Sequence, residues 1–401
     1  MRSLSCFILL GLLLETSYAA TKPRLGTPYT LKKPECDCYE VSGPEPGNFE
    51  HYRFYDFRSI PLNGTDESNN RGQIKDGEDE MEGSKLIGHH PSLHGHPFVK
   101  EWNIQNWKRP SSEKYPIGTV NSFNNIYATK NIEGDSENST HLVLRLTRFE
   151  DYTSTAEVQT SVENVLYCSF RVRMRLYSIS KDGSNTIVPP PPGAVAGMFV
   201  YHSEVSESDI EILTNDPPNR VHYANQPDWD PITDQMIPGA SDEVDHDIPW
   251  TEWADHRLDW FPDKSRWYLN DELVLEKEYG VPDAPSVLVL NLWSNGGFWS
   301  GNVSVGQTVK MGIEWIQLAY NTSNSISSAN LLRHNTTGDS LVEIADSGPQ
   351  KSRSGLPIKM KVKTQVLRSD SKKTDGYYHK KRCAVTCQID DVGAIDVPEV
   401  V

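Results

Sequence analysis

The chain has 401 residues, enough for one large β-domain with extensions or for two modest domains. Asp plus Glu number 55 against 39 Lys plus Arg, a net charge of −16 that argues against nucleic acid as a general partner. The 10 Trp and 17 Tyr are an excess that suits the core of a β-sandwich.

Residues 1–19 read as a secretory signal. Arg2 supplies the charge, Leu4 to Leu14 the apolar stretch and Ser17-Tyr18-Ala19 a small-x-small cleavage site. The apolar run is too short for a membrane span, and no later stretch qualifies. The last residues, Asp396 to Val401, lack the hydrophobic tail of a lipid-anchor signal. Sequons at Asn63, Asn138, Asn302, Asn321 and Asn335 fit a secreted glycoprotein. Cys6 leaves with the signal. An oxidising compartment favours disulfide bonds among Cys36, Cys38, Cys383 and Cys387, with three connectivities open. Cys168 falls on the apolar face of a strand and reads as a buried, inert thiol.

From Tyr52 to Arg58 the alternation predicts an opening strand. Residues 63–97 are polar, acidic in the middle and rich in Gly and Asn, and read as a mobile loop insertion. Its His89-His90-Pro91-Ser92-Leu93-His94-Gly95-His96 is expected to be an exposed His-rich loop, because Pro and Gly break any helix that would converge the rings and no recognised metal spacing is completed. Strand patterns follow at His141–Phe149 and Ala156–Ser161. The clearest runs from Leu166 to Ser178, where Cys168, Phe170, Val172, Met174 and Leu176 alternate with Ser169, Arg171, Arg173 and Arg175, the period of a half-buried antiparallel strand. Pro189 to Gly193 is a rigid turn, and strand pattern resumes at Ala194–Tyr201.

Ser206-Glu207-Ser208-Asp209-Ile210-Glu211-Ile212-Leu213 carries the chemistry. On a strand, side chains alternate between faces, so Glu207, Asp209 and Glu211 share one face while Ser208, Ile210 and Ile212 take the other. Neighbouring carboxylates then sit roughly 6.5–7 Å apart with no Lys or Arg between them. Such crowding suits the floor of a cleft. Two carboxyl groups on one glycosidic bond, a nucleophile and an acid that later acts as base, are what retaining hydrolysis needs, and a third helps hold the acid protonated. Glu207 and Glu211 start about 13 Å apart at the backbone, so their side chains must lean together to reach the roughly 5–5.5 Å of a retaining pair. Downstream, Val221–Asn225, His256–Asp263, Ser265–Val274 with a tight turn at Asn270-Asp271, Val287–Trp299 and Met311–Tyr320 read as further strands. After Asn321 the chain turns polar and then basic, and 323–401 reads as a flexible C-terminal extension.

The Glu207-x-Asp209-x-Glu211 strand resembles the catalytic signature of glycoside hydrolase family 16. Flanking segments resemble the family too: Glu157-Val158-Gln159, Tyr167–Met174, His256–Asp263, Ser265–Val274 and Val287–Trp299. Ser208 departs from it, since the family commonly has an aliphatic residue there. The resemblance runs from about Trp102 to Tyr320 and implies an all-β fold, an antiparallel β-sandwich of the concanavalin-like jelly-roll type, over about 34–322. It implies a secreted endo-glycosidase acting on β-1,3 or mixed β-1,3/1,4 glucan, with Glu207 as nucleophile, Asp209 as its hydrogen-bonded helper and Glu211 as acid/base. A wall transglycosylase would use the same residues, and a non-catalytic lectin would use the same jelly roll without needing the acidic triplet. Trp293 and Trp299 are candidates for stacking on sugar rings, and Asn225 and Tyr223 for contacts to sugar hydroxyls. No cofactor is expected. A structural calcium is compatible with the resemblance, although no ligand cluster in the sequence names its site. The expected partner is a polysaccharide, with oligomeric state left open.

Overall fold

The computed structural model describes residues 36–62, 89–132, 139–324, 383, 385–390 and 399–400. The signal segment, most of the expected insertion, the sequons at Asn63, Asn138 and Asn335, and the basic stretch 351–382 lie outside the described residues.

Two antiparallel layers form a β-sandwich with jelly-roll character, as expected. The cleft-bearing sheet runs Ser241–Asp245, Arg220–Asn225, Ser206–Leu213, Val195–Ser203, Val287–Trp293, Tyr152–Thr160 and Trp102–Ile104. The back sheet runs Glu272–Lys277, Ser265–Leu269, Ala254–Trp260, Val165–Ile179 and Thr308–Thr322, then divides between His51–Asp56 and Thr140–Arg148. Tyr152–Thr160 also pairs with Thr140–Arg148, which joins the two layers.

Alternation decides what lies between the sheets. Ile210 and Ile212 from the acidic strand, Met198 and Val200 from its neighbour, and Leu288, Leu290 and Leu292 beyond it meet Phe170, Val172 and Met174 of the back sheet in one buried cluster. Cys168 is buried there as a free thiol, and burial pushes its proton affinity well up, so it is inert as the sequence suggested. Asn270 and Asp271 both take positive φ, 47° and 66°, as a two-residue hairpin turn requires.

Two regions depart from the sequence reading. The first is His89–His96. His90, Ser92 and Leu93 are buried, and Pro91–Leu93 is a short 3-10 turn whose His90 side chain accepts from the Ser92 N–H. Ser92 Oγ in turn accepts from the Ala128 N–H at 2.9 Å. Leu93 and Phe98 fill the edge of the core, so this part of the expected exposed loop is structural.

The second is the outer face of Val165–Ile179. Arg171 and Arg175 are buried, not solvated. A small sheet of Cys38–Val41, Gly47–Phe49 and Thr386–Gln388 belongs to a terminal module that is held by disulfides Cys36–Cys387 and Cys38–Cys383. Asp390 of this module pairs with Arg171 at 2.9 Å and stands 3.5 Å from Arg257, which is itself clamped by Asp259 through two bonds of 2.8 and 2.6 Å. Val41, Phe49, Phe261, Ala319 and Ile389 form a second apolar cluster beside it. Residues 385–390, placed by the sequence in a flexible extension, are therefore ordered against the sandwich. Arg171 and Arg257 are tolerable as buried guanidiniums because each has a carboxylate partner, whereas Arg175 lies over the rings of Trp253 and Tyr177 at 4.6 and 5.2 Å.

Candidate active site

The register of the cleft-bearing sheet lines up its outward side chains in rows. One row of directly opposed residues runs Glu243, His222, Glu211, Gly197, Asn291, Glu157. The next runs Ser241, Ala224, Asp209, Phe199, Val289, Gln159, and a third begins Glu207, Tyr201, Val287. The three carboxyls of the acidic strand thus occupy successive rows of one surface. They open on a cleft of about 380 Å³ lined by Glu207, Glu211, Phe199, Tyr201, Asn291 and Trp293 on this side and by Glu157, Gln159, Trp107 and Arg109 at its far end. Asp209, between the two glutamates, is almost wholly buried.

Each carboxyl has its own environment. Glu207 and Asp209 share a hydrogen bond, and Gln226 Nε2 donates to Asp209 Oδ2 at 3.1 Å. No donor from another group reaches Asp209 Oδ1, which fits a proton kept on Asp209. Burial pushes Asp209 well above the usual carboxylate range, with the charge of Glu207 adding to it. Burial pushes Glu207 up to about 7, against the lowering effect of the hydrogen bond from Asp209. Burial and then the charge of Asp209 push Glu211 up to about 8, while the Trp299 indole, donating to Oε2 at 2.9 Å, pulls the other way. Asp228, on the loop after Gln226, faces all three and raises each further. Burial thus raises the proton affinity of all three carboxyls, with Glu207 at about 7 and Glu211 at about 8.

Trp293 lines the cleft and Trp299 touches Glu211. Tyr223 and Asn225 do not reach the cleft. Asn225 stands opposite Ser208 and Tyr223 opposite Ile210, so both point into the core, and both are fully buried. Asn225 Nδ2 donates to the Tyr279 carbonyl at 2.8 Å and its Oδ1 accepts from Ser265 Oγ at 2.9 Å, while Tyr223 Oη bonds His246 at 2.9 Å. The outward residues of that strand are His222 and Ala224. Parity carried the signal: Val221 and Tyr223 are the apolar positions, and Asn225 shares their face. Ser208 sits on the core side, as expected, donating to Ser265 Oγ at 3.2 Å. Glu204 has the wrong parity for the acidic face, yet it lines the cleft because the pairing shifts between Tyr201 and Ser203.

Sequence reasoning also passed over Glu157, Asn291, His222, Gln226 and Trp107. Glu157 accepts from the Trp107 indole at 3.2 Å and from Gln159 at 2.9 Å, and burial raises its proton affinity. Glu157 and Asn291 come from strands remote in sequence, and only the register brings them into one row with Glu211, while His222 and Gln226 belong to the next strand and the loop after it. Among the described residues no group of three or more His, Cys, Asp or Glu is placed to hold a metal ion, so no calcium site is assigned.

No protein-family model matches the chain, and no curated protein matches it. Among solved structures, the Bacillus licheniformis β-glucanase is similar at 17% identity over 55% of this chain and 92% of that one, with a TM-score of 0.41. The laminarinase catalytic domain from Thermotoga maritima is similar at 16% identity over 56% and 92%, TM-score 0.38. The Crh5 transglycosylase is similar at 17% identity over 44% and 72%, TM-score 0.35.

Proposed function

We propose that the protein is a secreted, retaining endo-glycosidase of the family 16 type that hydrolyses β-1,3 or mixed β-1,3/1,4 glucan. The observation that carries this reading is the acidic strand itself: three carboxyls on one face of the sheet, the outer two, Glu207 and Glu211, lining an open cleft, and all three raised in proton affinity by burial. Aromatic rings of Trp293, Phe199 and Tyr201 beside them suit the flat apolar faces of pyranose units. The disulfides of the terminal module suit an oxidising, extracellular setting.

Glu207 attacks the anomeric carbon as a carboxylate. As the bond from that carbon to the glycosidic oxygen breaks, Glu211 gives its proton to the leaving oxygen. Asp209, keeping its own proton, donates to Glu207 and is released from that bond's charge as the ester forms. Water then attacks the same carbon, gives its proton to Glu211, and Glu207 leaves as carboxylate. Replacing that water by a sugar hydroxyl would make the same site a transglycosylase.

Mass spectrometry of products from laminarin, mixed-linkage glucan, xyloglucan and chitin oligosaccharides tests this reading, with Glu207→Gln alongside. Shortened oligosaccharides from a β-glucan, absent with Glu207→Gln, are expected. Products longer than the input would make it a transglycosylase, and saturable binding without any cleavage would make it a lectin.

A further inference from the structure

Resting on the reading of Glu211 as acid/base, we propose that Asp216 and His222 are positioning residues for that proton donor, acting through the Trp299 indole. Trp299 lies in the loop after Val287–Trp293, next to the fully exposed Phe298, and is itself 40% exposed, so no strand ladder fixes its ring. Two contacts do. Its Nε1 donates to Glu211 Oε2 at 2.9 Å, and its ring meets the His222 imidazole edge to face, centroids 5.0 Å apart at 72°.

His222 is in turn held from several sides. It stands directly opposite Glu211 on the neighbouring strand, on the same face of the sheet. Its Nε2 bonds Asp216 Oδ2 at 2.5 Å. Asp216 comes from the turn after the acidic strand, where its own N–H donates to the Leu213 carbonyl at 3.1 Å. On the other side His222 Nδ1 is 3.9 Å from Glu243 Oε1, and Arg220 takes the second oxygen of Glu243 at 3.0 Å while also gripping Asp245. The bond to Asp216 holds one ring nitrogen and the Glu243 carboxylate stands by the other, so the ring cannot turn without losing Asp216.

The consequence falls on one oxygen. With Oε2 occupied by the indole N–H, the proton of Glu211 sits on Oε1, the oxygen left to face the glycosidic bond. The same N–H favours the ionised form and so offsets burial, keeping Glu211 an acid that can release its proton. A loosened Trp299 would leave Glu211 present but misaimed and harder to ionise.

The test compares Asp216→Asn, His222→Ala, Trp299→Phe and the double variant His222→Ala/Trp299→Phe. Each is assayed on the glucan the wild type cleaves and on the dinitrophenyl glycoside of the oligosaccharide it releases, whose leaving group departs without a proton. On glucan, kcat is expected to fall about tenfold in Asp216→Asn and His222→Ala, with KM within about twofold. On the aryl glycoside kcat/KM of the same variants, which reports only the first step, is expected to stay within about twofold of wild type, because acid assistance is not needed there. The alkaline limb of the kcat profile should move upward as Glu211 loses its donor, and the double variant should be no worse than Trp299→Phe alone. Equal losses on both substrates with a lowered melting temperature, unchanged kcat on glucan, or additive losses in the double variant would overturn the proposal while leaving Glu211 as acid/base. No glucan turnover by the wild type, or full glucan activity in Glu211→Ala, would overturn the reading of the site and this inference with it.

Discussion

A Cβ on Gly197 would stand 2.6 Å from Oδ1 of Asn291, and 3.2 Å from the ring of Phe199. Gly197 lies between Glu211 and Asn291 in one row across the cleft floor, so the missing side chain is what leaves room beside the acidic strand. Gly197→Ala is expected to turn the Asn291 amide away from its hydrogen bond with Glu157 and to put a methyl beside Glu211. Because Asn291 can rotate, the melting temperature should change little, while kcat/KM falls about 10- to 100-fold. Steady-state kinetics on the cleaved glucan, with a melting curve, check both halves.

Activity should follow a bell-shaped pH profile. Below about 7 Glu207 takes up a proton and can no longer attack, so kcat/KM falls on the acid side. Above about 8 Glu211 gives up its proton and the leaving oxygen goes unassisted, so kcat/KM falls on the alkaline side. The limbs belong to the interacting set of carboxyls, so removing Asp209 should move the acid limb as well as lower the rate. In Asp209→Asn the hydrogen bond that lowers the proton affinity of Glu207 is weakened, so the acid limb should move upward, and kcat/KM measured across pH reports the shift.

The same groups link stability to pH. Glu211 binds its proton more tightly folded, up to about 8, than its ordinary 4.5, so the folded state holds more protons between those values. Stability from this group is present at low pH and falls as pH rises through about 8. Glu211→Gln keeps an acceptor for the Trp299 indole but removes the charge. It should stabilise the protein by about 4 kcal/mol at pH 8 and by nothing at pH 4. Urea unfolding of both proteins at the two pH values measures the difference.

Asn225 separates core from cleft. Asn225→Leu removes the acceptor of Ser265 and leaves the Tyr279 carbonyl without its donor, both within the sandwich. The expected cost is about 2–3 kcal/mol of stability with KM unchanged. A raised KM at unchanged stability would put Asn225 in contact with sugar.

What the sequence made legible follows from what decides each feature. The acidic triplet was readable because strand period alone sets its face, and Ser208 fell on the opposite face for the same reason. The tight turn at Asn270-Asp271 was readable from its residue types. Tyr223 and Asn225 were misplaced because proximity in sequence to the triplet was weighed above the parity set by Val221. The burial of Arg171 was not legible at all, since its partner Asp390 lies 219 residues away. His90 was hidden by its Pro and Gly neighbours, which signal a turn but not whether the turn is packed. The Asp216, His222 and Trp299 chain needs both the register of two strands and the path of a loop.

The most direct measurement is to trap the first intermediate. The protein would be incubated with a dinitrophenyl glycoside of a 2-deoxy-2-fluoro oligoglucoside and digested, and its peptides sequenced by mass spectrometry. The fluorine slows both steps and the activated leaving group restores the rate of the first, so a glycosyl ester should accumulate on Glu207 and be absent in Glu207→Gln. A label on another residue, or no label together with release of the inverted anomer from glucan, would contradict the account.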